Sequence, residues 1–217
     1  MFTDSLSQII ARIPALLIAF AFHEWAHAMV ADRFGDPTPR SQGRLSLNPL
    51  VHLDPIGALF AVIAGIGWAK PVQTMPHYYR GNKRRADMLV SLAGPAMNML
   101  IGLIVVIGIE FTWHFAGQDA FFNQLMQVLD EIAALNIVIG LFNLIPIPGF
   151  DGFHILMDLL PEEAAAGMYR YEHYGMLILL LLLVTGAINY VLMPAYNWVF
   201  DLYQTIATAL LSLFGAG

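Results

Sequence analysis

Cysteine is absent from this chain of 217 residues. Its absence excludes disulfide frameworks and thiolate metal sites, so any metal must be held by histidine, aspartate or glutamate. Charge is scarce too: 12% of residues are Asp, Glu, Lys or Arg, whereas 58% are hydrophobic. Soluble domains carry about a quarter charged residues, and the mean hydropathy here is +0.65. A water-soluble globular domain is excluded and an integral membrane protein is indicated. The net charge of −6 says little, because the placement of Lys and Arg matters more in a membrane chain. The first residues, Met1-Phe2-Thr3-Asp4, carry no basic cluster and no small-residue cleavage site follows, so the first apolar run reads as a retained span. There is no internal repeat and no low-complexity tail.

Against this background the run Ala19-Phe20-Ala21-Phe22-His23-Glu24-Trp25-Ala26-His27-Ala28 stands out. It sets two imidazoles and a carboxylate within an oily helix, where ionisable groups cost several kcal/mol and mark function. The spacing is His-Glu-x-x-His. Positions i and i+4 share a helix face, so His23 and His27 can grip one metal ion. Glu24 projects from the same turn and can take a proton from a coordinated water, whose pKa a bound metal lowers toward about 7.

The apolar pattern places spans at about 6–33, 88–115, 121–147 and 174–192, with 196–214 either a further span or an interfacial helix. The run 55–68 is shorter than the ~20 residues a crossing requires and contains Gly57, Gly65 and Gly67. Arg33, Arg40 and Arg44 precede it, while Lys70, Arg80, Lys83, Arg84 and Arg85 follow. A crossing would put positive charge on both sides, so the run reads as re-entrant with all these charges cytoplasmic. The expected architecture is an all-α polytopic bundle of four to five transmembrane helices in one domain over 1–217. It includes the re-entrant segment and a short extended or β piece near the metal site. From Arg33 at the surface, His27 and His23 lie about 9 to 15 Å inward.

Two imidazoles leave a catalytic site short of its usual three protein ligands. Asn143-Leu144-Ile145-Pro146-Ile147-Pro148-Gly149-Phe150-Asp151-Gly152 offers a carboxylate after a double-proline break. Counting spans returns this segment to the cytoplasmic side, at a depth where Asp151 can meet the histidine pair.

These residues resemble the site-2 protease family of intramembrane zinc metalloproteases, in particular its short prokaryotic branch without PDZ or CBS domains. Further similar pieces are Gly43-Arg44-Leu45-Ser46-Leu47-Asn48-Pro49-Leu50, His52-Leu53-Asp54-Pro55-Ile56-Gly57, Gly67-Trp68-Ala69-Lys70-Pro71-Val72 and Ala93-Gly94-Pro95-Ala96-Met97-Asn98. The resemblance implies one zinc ion per chain held by His23, His27 and Asp151. It implies Glu24 as catalytic residue and a membrane-embedded protein or peptide as substrate. It also implies that the re-entrant region offers a strand edge to an unwound substrate. Asn98 and Asn143 are candidates for contacts to substrate backbone or the developing oxyanion, or for hydrogen bonds between helices. The chain departs from many relatives at Gly149-Phe150, where a second proline and a leucine are common, and at His154.

A different use of the same groups is a membrane metal transporter, or a metal-binding protein without proteolytic activity. Hydrolysis needs a base that is not a ligand, which Glu24 supplies. Transport needs a ladder of further intramembrane sites, which the sequence does not show. His52 and His154 read as interfacial or outer groups, and Lys83-Arg84-Arg85 as a topology signal. Gly94-Pro95 reads as close helix packing, which next to a reaction centre would also let a helix approach the metal. The expected surroundings are a lipid bilayer, in a prokaryotic cell membrane with the active site nearer the cytoplasm; no nucleic-acid partner is expected and the oligomeric state is left open.

Overall fold

The computed structural model describes residues 6–64, 67–115 and 120–214, and among them there is no strand. Among the described residues nine α-helices follow one another: α1 (Leu6–Arg33), α2 (Thr38–Ser41), α3 (Pro55–Ala64), α4 (Lys83–Phe115) and α5 (Ala120–Asn143), then α6 (Asp151–Leu159), α7 (Glu162–Tyr169), α8 (Gly175–Thr185) and α9 (Asn189–Leu213). Three stretches are long and apolar enough to cross a bilayer: Ile10–Arg33, Lys83–Phe115 and Phe122–Asn143. The bent pair α8–α9 makes at most a fourth. This is an integral membrane protein with three or four candidate crossings, at the lower end of the four to five expected.

Helix α1 explains how the bundle closes. Ala11, Ala15, Ala19, His23, His27 and Ala31 recur every fourth residue and all are buried. That spacing keeps them on one face, and the alanines let neighbouring backbones approach closely, as packing within lipid requires. α4 and α5 pack against α1 and against each other. The two histidines therefore occupy two places in a seam otherwise made of alanine. A second core joins α4, α5 and α9 through Val106, Ile109, Ile137, Val199, Tyr203 and Ala207.

The run expected to be one span over 174–192 is divided. α8 stops at Thr185 because Gly186 takes a left-handed conformation, φ 69°, which suits glycine and caps a helix. α9 starts three residues later, bent by 80° from α8, and absorbs Pro194 near its beginning. Likewise α5 ends at Asn143 rather than 147, with Pro146 and Pro148 beyond it. Proline can neither donate to nor fit a continuing helix. Residues 116–119, between the expected spans 88–115 and 121–147, lie outside the described residues.

The run 55–68 begins as α3, ten residues long and about 15 Å at helical rise, too short to cross. Asp54 caps it through the N–H groups of Ile56 and Gly57, and these donors hold its carboxyl below the usual range. Residues 65–66 lie outside the described residues. At the far side Trp68 comes back against Gly57, where a Cβ would sit 2.2 Å from the Trp68 carbonyl oxygen. The Lys70 N–H donates to the His52 carbonyl at 2.9 Å. The two ends of the run are thus held together.

Overpacking the α1 seam costs about 1–3 kcal/mol. Ala15→Leu, at a fully buried position, is expected to lower the thermal unfolding midpoint in detergent. Ile104→Leu, at a position 57% exposed, is expected to leave it unchanged.

Candidate metal centre

His23 and His27 meet Asp151 because three local features bring their elements together. The four-residue spacing stacks the imidazoles on α1. Gly94 lets α4 cross over them: a Cβ there would lie 2.3 Å from His27 Nε2 and 2.7 Å from His23 Nε2. The double-proline break after α5 turns the chain so that Asp151 opens α6, and Gly152 packs against the Leu144 carbonyl, where a Cβ would be 2.3 Å away.

The three ligand atoms converge. His23 Nε2 and His27 Nε2 are 3.0 Å apart, and Asp151 Oδ2 lies 3.2 Å from the first and 3.4 Å from the second. Donors bound tetrahedrally at 2.0–2.1 Å would be about 3.3 Å apart. Asp151 Oδ2 is buried and has no hydrogen-bond partner.

The far side of each ring fixes which nitrogen faces this point. His27 Nδ1 lies 2.7 Å from the Val90 carbonyl, which only accepts, so Nδ1 carries the proton. His23 Nδ1 lies 2.6 Å from Asn98 Oδ1. The Asn98 amide nitrogen donates to the Ala19 carbonyl at 3.0 Å and to Asn136 Oδ1 at 2.8 Å. Asn136 is oriented in turn by donating to the Ile132 carbonyl at 2.8 Å. Asn98 therefore turns its oxygen to His23, and both rings aim lone pairs at Asp151 Oδ2. Three electron-rich atoms this close repel one another unless a cation joins them. His23, His27 and Asp151 together form the one three-ligand group suited to a metal ion among the described residues.

Glu24 stands beside this set and not in it. It is 8% exposed, and its Oε2 accepts the Val72 N–H at 2.7 Å. Val72 belongs to the irregular segment 67–75, which three buried groups hold in place. The Arg44 guanidinium donates to the carbonyls of Val51, Lys70 and Pro71. Asp36 Oδ2 accepts the Met75 N–H at 2.7 Å. His52 donates from Nε2 to the Ser46 carbonyl at 2.7 Å, with Arg44 facing its Nδ1; burial keeps this imidazole below its ordinary pKa. Arg44, Asp36, His52 and Asn136 lie outside the three-ligand group and hold its surroundings in place, and Asn136 had no signal in the sequence beyond its place in an apolar span.

A cleft of about 470 Å³ opens onto the centre, lined among others by His23, Glu24, His27, Val72, Asn143 and Asp151. Asn143 lines it, with its amide nitrogen also donating to the Ile139 carbonyl at 3.0 Å. Asn98 does not: it is fully buried and its amide is spent on His23, Ala19 and Asn136. Of its two readings the helix–helix bond is the one formed. Gly149 adopts φ 97°, a conformation closed to proline, and it turns Phe150 into the cleft wall against Phe142, with ring centroids 4.7 Å apart.

The description Peptidase family M50 matches residues 11–186. The chain belongs to this family, the site-2 protease family. It is 41% identical over 191 residues to the "Putative zinc metalloprotease YwhC" of Bacillus subtilis (strain 168), covering 84% of each chain. It is 29% identical over 209 residues to the "Putative zinc metalloprotease Rip2" of Mycolicibacterium smegmatis, covering 94% of this chain and 77% of that one. The Rip2 of Mycobacterium tuberculosis (strain ATCC 25618 / H37Rv) is 28% identical over 195 residues, covering 88% and 73%. No solved structure matches.

In this M50 chain, Asn136→Leu removes the acceptor that keeps the Asn98 amide turned. Loss of an outer partner typically lowers metal affinity about 10–100-fold. The variant is expected to lose metal to a chelator at correspondingly lower concentration than the wild type, while Asp151→Ala is expected to purify without stoichiometric metal.

Proposed function

We propose that this M50 peptidase is a zinc-dependent intramembrane endopeptidase that hydrolyses peptide bonds in or near transmembrane segments of membrane proteins. The observation that carries this reading is the convergence of two outward-protonated imidazoles on the partnerless oxygen of Asp151, with a separate carboxylate, Glu24, at the same cleft. His23, His27 and Asp151 would hold zinc, which when bound would supply the Lewis acidity that lowers the pKa of a water toward neutrality and polarises a carbonyl. Glu24 takes the proton of the attacking water on its carboxylate and returns it to the leaving amide nitrogen, acting as base and then acid. Val72 holds Glu24 by one oxygen and so fixes the carboxylate's position over the cleft. Asn143 presents its remaining amide N–H to a substrate carbonyl.

The segment 67–75 is the docking edge. A transmembrane helix hides its amide bonds, so it must unwind, and its freed backbone groups then need partners. Among the described residues the N–H groups of Gln73 and Thr74 form no hydrogen bond, and Thr74 lines the cleft. An extended substrate strand pairs there. The joined ends of 55–68 support a re-entrant course, and the basic groups at the start of α4 support a cytoplasmic opening in a prokaryotic cell membrane.

Glu24→Gln is expected to retain about one zinc per chain and to lose cleavage of a transmembrane test substrate by about 10²–10⁴-fold, measured with purified protein in detergent. Cleavage at the wild-type rate would overturn the assignment.

A further inference from the structure

The cleft has a second end. α4 and α6 run side by side away from the metal centre, and their facing positions descend together. On α4, Gly94 touches the imidazoles; Ser91, Val90 and then Asp87 follow on the same face, all lining the cleft or packed at it. On α6, Asp151 is followed one turn later by His154, which lines the cleft, and two turns later by Asp158. Asp87 and Asp158 thus reach the same level from two helices. Arg84, one turn before Asp87, donates to the Met157 carbonyl at 2.9 Å and confirms that register.

Among the described residues no cation pairs directly with these carboxylates, although His154 lies near Asp87 and Arg84 near Asp158. Among the described residues neither Asp87 nor Asp158 forms an ion pair or a hydrogen bond, and Asp158 Oδ2 is buried without a partner. The Arg84 guanidinium near Asp158 donates to the Met157 carbonyl and forms no ion pair with the carboxylate, which it offsets only through space. Burial and the neighbouring Asp87 push the Asp158 carboxyl up to about 6, with the nearby Arg84 opposing only part of the rise. Behind them the Tyr79 hydroxyl, facing Thr74 without a formed hydrogen bond, is also buried. Carboxylates that lose solvation without a directly paired cation fit a site completed by a cationic ligand.

The spacing says which ligand. Seven helical residues separate Asp87 from Gly94, about 10 Å, or about three residues of an extended peptide at ~3.3 Å each. We propose that the Asp87–Asp158 end of the cleft is a subsite for a lysine or arginine side chain lying about three residues from the scissile bond. The proposal rests on the endopeptidase reading above and specifies its substrates. Membrane proteins concentrate Lys and Arg at one flank of their spans, so a basic flank entering the cleft first would anchor there and place the adjoining span residues over His23, His27 and Glu24.

The test uses transmembrane peptides identical except for Lys, Gln or Glu placed two to five residues from the scissile bond. Binding is measured to the Glu24→Gln protein in nanodiscs, so turnover is not required, and kcat/KM is measured separately with the active protein. Lys is expected to bind about tenfold tighter than Gln at the three-residue position, with Glu weaker still. Asp87→Asn is expected to bring the Lys-to-Gln ratio near one, Asp158→Asn to reduce it, and Asp87→Lys to invert it in favour of Glu. In kinetics the difference is expected in KM more than kcat. Equal binding of the three peptides, or a Lys preference that survives Asp87→Asn and Asp158→Asn, overturns the subsite even if all peptides are cleaved. Charge-selective binding without cleavage by the active protein leaves the subsite standing and defeats the endopeptidase reading.

Discussion

Two imidazoles on one membrane helix are useful only if their lone pairs point the same way, and the protein secures this from behind the rings. A neutral histidine places its proton on the nitrogen that meets an acceptor. The Val90 carbonyl supplies that acceptor for His27. For His23 it is the oxygen of Asn98, whose own orientation is fixed by Ala19 and Asn136. In hydrocarbon no water competes for these bonds, and an unsatisfied polar group is costly. The arrangement therefore has one low-energy state, with both Nε2 atoms turned to Asp151. The alanine seam of α1, the missing side chain of Gly94 and the proline break before Asp151 all serve to make that state sterically possible.

The same logic extends outward from the metal to the irregular segment beside it. Segment 67–75 forms no ladder of its own, yet its backbone is anchored at Lys70, Pro71, Val72 and Met75 by buried side chains from α1 and from the loops around α2. Irregular backbone near a membrane interior is tolerated where protein satisfies it or where it borders a hydrated cleft, and both conditions hold here. Glu24 belongs to both systems. It lines the cleft and holds Val72, so the positions of the proposed general base and of the proposed docking edge are set by one bond.

Much of the centre was legible in the sequence because its signals are local and physically improbable otherwise. His-Glu-x-x-His in an apolar run and Asp-Gly after two prolines each violate the composition of a span, and such violations point to function. The apolar pattern also located α1, α4 and α5. What it could not show was where a helix stops inside an apolar stretch. Gly186 and Pro194 are a few residues apart, and composition alone did not reveal that the glycine breaks the helix while the proline is absorbed. Long-range hydrogen bonding was equally hidden. Asn98 offered two readings until Asn136, 38 residues away, was seen to hold its amide, and Arg44 and Asp36 are ordinary loop residues until their carbonyl and N–H partners are known. The pairing of Asp87 with Asp158 depends on two helices lying in register, which no single stretch of sequence encodes.

All of this rests on a first-row metal ion bound by two imidazoles and a carboxylate in a chain that has no thiol to offer. X-ray absorption at the zinc edge of protein purified without chelators tests that directly. The expected spectrum shows about one zinc per chain with nitrogen and oxygen neighbours at 2.0–2.1 Å and outer-shell scattering from two imidazole rings, reduced to one ring in His23→Ala. Absence of stoichiometric metal, or a zinc shell without imidazole scattering, would contradict the account.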